Sequence, residues 1–310
     1  MDEQALAVNL CGLKLATPLI LASGVAGENW DWLLDAARAG AGAVVTKSIS
    51  MAAREGHAEP TVLEWEHGLI NAVGLRNSGV ELVSESLLQL KPRLSALGVP
   101  LIASVFADTV HGFGEVTAAL ASAQPDMIEV NISCPNVEAE YGKPFASDVA
   151  TAAAVTRAVK DAATCPVTVK LSPNVTDIVS IARAVEDAGA DAICAVNSLS
   201  GMVIDIATGK PVLVNRTGGV TGAAIRPIAV RCVYEITRTV RIPVIGLGGV
   251  THGRDIVEMI MAGAMAVGVG SAVYVRGPAV FSELLLQLVD CMDEHGYQTL
   301  DEIRGLTHRR

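Results

Sequence analysis

Aromatic side chains are scarce in this 310-residue sequence, only 4% of the total, so they cannot form its core. Hydrophobic residues still reach 51%, which leaves Ala, Val, Ile and Leu to fill the interior. That composition suits parallel strands buried on both faces and the small-residue helices that cover them. Positive charge is also short: 23 Lys and Arg face 33 Asp and Glu, a formal charge of −10. Such a chain has no general attraction to nucleic acid or anionic lipid, and no basic run offsets the deficit. An anionic ligand must instead be held by individual lysines and backbone amides. No apolar run is long enough to span a bilayer, and the opening MDEQALAVNLCG lacks the basic-then-apolar layout of a signal peptide. The six cysteines are scattered, with no CxxC and no Cys/His pair at metal-ligand spacing. The expectation is a reduced, cytoplasmic protein with no metal site and no iron–sulfur cluster of its own.

What the sequence does contain is a repeat. Short apolar runs occur at 18–24, 43–49, 100–106, 127–133, 166–172, 192–198, 243–249 and 266–271, with helical patterns between most of them. Each run is rich in Val, Ile or Leu without strict polar alternation, as in strands covered on both sides. Several helical patterns close on Ala-Gly-Ala, where Gly supplies the C-cap. Eight strands alternating with helices fit a TIM barrel or an open doubly wound sheet. The count, and the lack of a GxGxxG after the first strand, favour the barrel. The expected architecture is a single (β/α)8 domain over 1–310. It carries an N-terminal hairpin at 6–16 and two excursions over the C-terminal face, at 50–78 and 199–221, the second with an ATGK hairpin turn.

Chemistry in a TIM barrel sits at the C-terminal strand ends. In order, those ends supply Ser23, Lys47, Ser104, Asn131 followed by Cys134, Lys170, Asn197 with Ser198, Gly248 with Gly249, and Gly270 with Ser271. Glycine turns on the last two strands let backbone amides approach a phosphate. Lys47 and Lys170 end apolar strands, where an unpaired cation is costly to bury. Three roles fit them: contact with a flavin ring, a Schiff-base nucleophile, or a salt bridge inside the barrel. Cys134 lies in EVNISCPN, where Pro135 keeps a helix from starting directly, so the thiol belongs to a loop over the mouth. There it could abstract a proton or attack as a nucleophile; an inert buried cysteine is the commoner fate of the residue type.

The motifs VTKSIS (45–50), INAVGLRNSG (70–79), NISCPN (131–136), VKLSPN (169–174), VNSLSGM (196–202), GGVTGAAIRPIAVR (218–231) and GLGGV (246–250), in this order, resemble the dihydroorotate dehydrogenases over essentially the whole chain. Cysteine in NISCPN is similar to class 1, and INAVGL and VNSLSGM resemble the class 1B catalytic subunit. The resemblance implies oxidation of (S)-dihydroorotate to orotate in pyrimidine biosynthesis. It implies that Cys134 removes the C5 proton while FMN accepts the C6 hydride. It implies substrate contacts from Lys47, Asn71, Asn131, Asn197 and Ser198 and from the loop Ala72, Val73, Gly74 and Leu75. It implies FMN contacts from Ser23, Lys47, Ser48, Ser104, Asn131, Lys170, Val196 and Gly222, with the phosphate on Gly248, Gly249, Gly270 and Ser271. A partner is implied as well: an FAD- and [2Fe–2S]-carrying subunit that passes the electrons to NAD+, so the expected assembly is a homodimer, or a heterotetramer where that subunit joins it.

Three positions depart from the family pattern. Ser104 stands where the family usually has an Asn that contacts the flavin, and a serine reaches less far, leaving room for a water. GLRNSG replaces the usual GLQNPG and puts Arg76 beside the substrate loop. The segment VEAEYGKPF lacks the glycine pair common in class 1B. Three alternatives stay open on sequence alone: a fumarate-using class 1A enzyme, a dihydropyrimidine dehydrogenase-type flavin domain, and a flavin-free Schiff-base lyase. Asn136, where the dihydropyrimidine enzymes typically carry His, weighs against the second.

Overall fold

The strands form where β-branched and Leu-rich runs can be buried on both faces. The computed structural model describes residues 3–133 and 145–309. In chain order the strands are β1 (Val8–Leu10), β2 (Leu13–Leu15), β3 (Leu19–Leu21), β4 (Ala43–Val45), β5 (Val62–Trp65), β6 (Gly68–Asn71), β7 (Leu101–Val105) and β8 (Met127–Asn131). They continue with β9 (Val167–Leu171), β10 (Ala192–Ala195), β11 (Leu199–Gly201), β12 (Ile204–Asp205), β13 (Lys210–Pro211), β14 (Gly218–Thr221), β15 (Val244–Leu247) and β16 (Ala266–Val269). A closed barrel runs β3-β4-β7-β8-β9-β10-β15-β16 and back to β3, with parallel pairing throughout. Every residue of β7, β8 and β9 is buried. The expected eight-stranded barrel, strand by strand, is what forms.

Helix ends obey the local chemistry. Asn29, Thr109, Asp148 and Asp177 cap their helices by accepting from the backbone N–H three residues on. At the other end, the Ala-Gly-Ala sites place Gly40, Gly189 and Gly263 at φ of +105°, +96° and +107°. Only glycine takes that backbone without strain, and it turns the chain directly into the next strand.

The N-terminal hairpin pairs Val8 with Leu15 through a turn with Cys11 and Gly12 at φ of 53° and 87°, the left-handed pair that suits a tight hairpin. Leu10 and Leu15 are buried, and the Cys11 thiol donates to the carbonyl of Asp191, just ahead of β10. The hairpin therefore seals the N-terminal end of the barrel.

The two excursions do more than cover the opposite end separately. They pair with each other in one four-stranded sheet, β11-β14-β6-β5, in which Asn71 faces Gly219. A small hairpin, β12–β13, hangs from this sheet around Gly209. Ile70, Ala72 and Leu213 form its own buried cluster, apart from the main core.

At the barrel bottom one device recurs. Asp126, before β8, accepts from the Leu101 N–H of the neighbouring strand at 2.7 Å and from Lys91 of a covering helix. Asp191, before β10, accepts from Val167 N at 2.7 Å and from Lys160 Nζ at 2.6 Å. Each carboxylate ties a strand start to a helix through charge-assisted hydrogen bonds. Asp191→Ala should destabilise the fold by about 2 kcal/mol, read as a lower urea midpoint at unchanged m-value; an unchanged midpoint would contradict the role given to this tie.

Candidate active site

Parallel strands in a closed barrel bring their C-terminal ends to one rim, and here that rim opens into a cleft. Of the residues expected from sequence, Ser23, Lys47, Ser48, Asn71, Val73, Gly74, Leu75, Asn131, Lys170, Val196, Asn197, Ser198, Gly222, Gly248, Gly249, Gly270 and Ser271 all line it. They come from seven barrel strands and both excursions, so the fold gathers what the sequence scatters.

The polar floor is tied together by side chains. Lys170 Nζ donates to Ser23 Oγ at 2.9 Å, and the Asn131 amide donates to Ser48 Oγ at 2.9 Å. Asn197 Nδ2 donates to Ser133 Oγ at 2.9 Å, and its Oδ1 accepts from the Ser198 N–H at 2.8 Å. Within the covering sheet the Asn71 amide donates to the carbonyl of Gly219, its partner on β14, at 3.0 Å. A Cβ on Gly219 would lie 2.0 Å from Ser198 Oγ, so the glycine is what lets the sheet close over that hydroxyl. Three asparagines, a serine and two lysines thus face one space with fixed amide orientations, a donor and acceptor set suited to a planar, anionic heterocycle.

At the far end of the cleft lie Gly248, Gly249, Gly270 and Ser271. Gly249 sits at φ +79°, and a Cβ there would come within 2.8 Å of the Arg226 backbone nitrogen. The turn is shaped from behind by Asp255, only 1% exposed, which accepts from Thr251 N and His252 N at 2.9 Å each and also binds Arg226. The helix Ser271–Arg276 starts at the same edge, so glycine turn and helix N-terminus meet at one end of the cleft.

Two expected residues do not reach the cleft. Ala72 is 1% exposed and uses its backbone: its N–H donates to Thr61 O at 2.7 Å, and its carbonyl lies 3.1 Å from His57 Nδ1. Ser104 is fully buried beneath the floor, its Oγ 3.0 Å from Ser48 Oγ and donating to Glu129 Oε1 at 2.9 Å. The short side chain is occupied in supporting the floor rather than projecting from it. Arg76 turns away as well, with Nε donating to Glu55 O at 2.7 Å and a guanidinium nitrogen 3.7 Å from Glu59. Cys134 lies outside the described residues.

Sequence reading missed Glu129, Thr221, Ile225 and Tyr274. The last three line the cleft, and Glu129 lies under it. Glu129 was detectable: two residues before Asn131 on a strand, it must share that residue's face. Tyr274 stands three residues beyond Ser271 on a helix, the same-face spacing.

Residues 5–292 match the family model described as dihydroorotate dehydrogenase. The chain belongs to the dihydroorotate dehydrogenase family. Among its relatives is the protein named dihydroorotate dehydrogenase B (NAD(+)), catalytic subunit, of Methanosarcina mazei, 48% identical over 300 residues, covering 96% of this chain and 94% of that one. The proteins of the same name from Methanothermobacter thermautotrophicus and Methanocaldococcus jannaschii are 45% and 40% identical, covering 98% and 99% of this chain and 98% and 100% of their own lengths. Among the described residues no helix is long and apolar enough to cross a membrane, and no His, Cys, Asp and Glu group is placed to hold a metal ion.

The glycine turn supplies a direct test. Gly249→Ala combines a left-handed backbone, costing about 1–2 kcal/mol for an L-residue, with a clash against Arg226. If a flavin phosphate sits on this turn, as the sequence leads one to expect, the variant should fold but bind FMN roughly tenfold more weakly or worse, as measured by quenching of FMN fluorescence on titration; wild-type affinity would remove the turn from that role.

Proposed function

We propose that the protein is the FMN-dependent catalytic subunit of a dihydroorotate dehydrogenase, oxidising (S)-dihydroorotate to orotate in pyrimidine biosynthesis. The observation that carries this reading is the single cleft in which Lys47, Asn71, Asn131, Lys170, Asn197 and Ser198 meet the glycine turns of the last two barrel strands. The shape and donor set fit FMN: a polar, cationic floor for the ring system at one end and glycine turns for the phosphate at the other. When bound there, FMN supplies a two-electron acceptor for the hydride leaving C6 of the substrate.

The chain's own residues do the rest. The Asn71, Asn131 and Asn197 amides orient the flat anionic substrate by its ring edges, with Lys47 and Ser198 completing the contacts. Their hydrogen bonds to the Gly219 carbonyl, Ser48, Ser133 and the Ser198 N–H fix which end of each amide faces the cleft, so little reorganisation is needed when substrate binds. Burial under the β11-β14-β6-β5 sheet excludes water and strengthens each polar contact. Lys170 supports negative charge accumulating at the cleft floor. Cys134 takes the proton from C5 as its thiolate. The Lys47, Ser48 and Ser23 side chains and the Val196 and Gly222 backbone hold the flavin, and Gly248, Gly249, Gly270 and Ser271 hold its phosphate.

The electrons leave for NAD+ through a partner subunit, a step that the relatives' name, a catalytic subunit with NAD(+), supports; FAD and [2Fe–2S] on that partner are part of the proposal. On this reading the working form is a heterotetramer in the cytoplasm. The test is a side-by-side assay: FMN-loaded protein with dihydroorotate, given NAD+ or fumarate, alone and with the co-purified partner. NAD+ reduction only with the partner is expected, and fumarate reduction by the chain alone would replace this reading with the class 1A one.

Cys134→Ala should bind FMN as tightly as the wild type, yet dihydroorotate should bleach the flavin roughly 10²–10⁴-fold more slowly. Cys134→Ser should keep partial activity that rises with pH, because a hydroxyl gives up its proton less readily than a thiol. Wild-type bleaching rates in the alanine variant would end the base assignment.

A further inference from the structure

Beneath the cleft floor the barrel buries a carboxylate that the reaction as described does not use. Glu129 is 3% exposed, directed from β8 into the barrel interior. The small void there is otherwise lined by side chains such as Ile20, Val45 and Ile102, any of which shows that an apolar residue could fill the space. A carboxylate is expensive to bury unless it is paired and hydrogen-bonded. Glu129 is both: its Oε1 lies 3.8 Å from Lys170 Nζ and accepts from Ser104 Oγ at 2.9 Å. Cys194, fully enclosed beside it, adds a thiol hydrogen bond, and burial together with the Glu129 charge pushes that thiol up to about 12.

Lys170 is itself only 4% exposed, yet it lines the cleft and donates to Ser23. The ammonium therefore has the cleft on one side and a carboxylate on the other. We propose that Glu129 is a positioning residue that holds the Lys170 ammonium at the cleft floor and, by offsetting its charge, sets how strongly the site favours reduced over oxidised flavin. This inference rests on the FMN reading given above. Ser104 belongs to the same device: from the register position beside Glu129 on β7 its hydroxyl donates to the carboxylate, while its Oγ also lies 3.0 Å from Ser48 Oγ, on the cleft wall.

The sign follows from electrostatics. Reduction adds negative charge to the flavin, so a nearby cation favours it and a nearby anion opposes it. Removing the Glu129 charge while keeping its size leaves Lys170 uncompensated and favours the reduced form. Glu129→Gln, loaded with FMN, should show a midpoint potential more positive than wild type, a shift of about tenfold in the redox equilibrium or roughly 30 mV for a two-electron couple. Glu129→Asp keeps the charge and should remain nearer wild type. An isolated buried cation can prevent folding, so the double variant K170M/E129Q, in which both charges are gone, is measured as well; it lacks the cation that lines the cleft, and its potential should lie below wild type. An unchanged or lowered potential in Glu129→Gln, a double variant at or above wild type, or equal shifts in the Gln and Asp variants, would overturn the proposal. A wild-type protein that takes up no FMN would instead remove the functional reading and this inference with it. One that binds FMN and is reduced by dihydroorotate, but whose potential ignores Glu129, would remove the inference alone.

Discussion

Closing eight parallel strands into a barrel fixes the direction of every strand, and therefore puts all the C-terminal ends on one rim. The rest of the molecule follows from that constraint. Parallel strands are joined by helices that bury the outer face, so the interior and both layers are filled by small aliphatic side chains and the polar residues are left to the rim. The N-terminal rim is closed by the first hairpin and tied by Asp126 and Asp191 to their lysines. Fixed geometry at one end thus frees the other for chemistry.

Charge is handled locally because the chain as a whole is acidic. Net charge of −10 offers an anionic substrate no attraction at long range. What the cleft has instead are two lysines and a set of oriented amides, which donate hydrogen bonds to Ser23, Ser48, Ser133 and the Gly219 carbonyl. Burial raises the worth of each such contact, since the same separation in a less polar medium gives a larger interaction. The Lys170–Glu129 pair shows the cost of that strategy: a cation placed under a cleft requires an anion beneath it.

Much of this was readable from the residues. The strands could be located because each apolar run stops abruptly at a polar or glycine residue, and in a barrel those stops are also the site. Ala-Gly-Ala marked helix ends because only glycine tolerates the left-handed turn. The pairing of 50–78 with 199–221 was not legible: each excursion reads as a loop on its own, and the hydrogen bonds that join Asn71 to Gly219 lie 148 positions apart in the chain. The hydroxyl of Ser104, read by analogy with a longer side chain, is spent on its register partner Glu129, a contact that needs the barrel to be seen. Glu129 escaped notice because one charge inside an otherwise apolar run reads as strand, and only the barrel geometry shows that it faces Lys170.

The central claim is that one cleft holds flavin and substrate together, with the phosphate on the glycine turns and the ring edges on the asparagines. A crystal structure of the protein with FMN and orotate tests this most directly. The account predicts the phosphate at Gly248, Gly249, Gly270 and Ser271, and orotate hydrogen-bonded by Asn71, Asn131 and Asn197 over a flavin ring that touches Lys170. Orotate bound away from these asparagines, or a phosphate seated elsewhere, would contradict it.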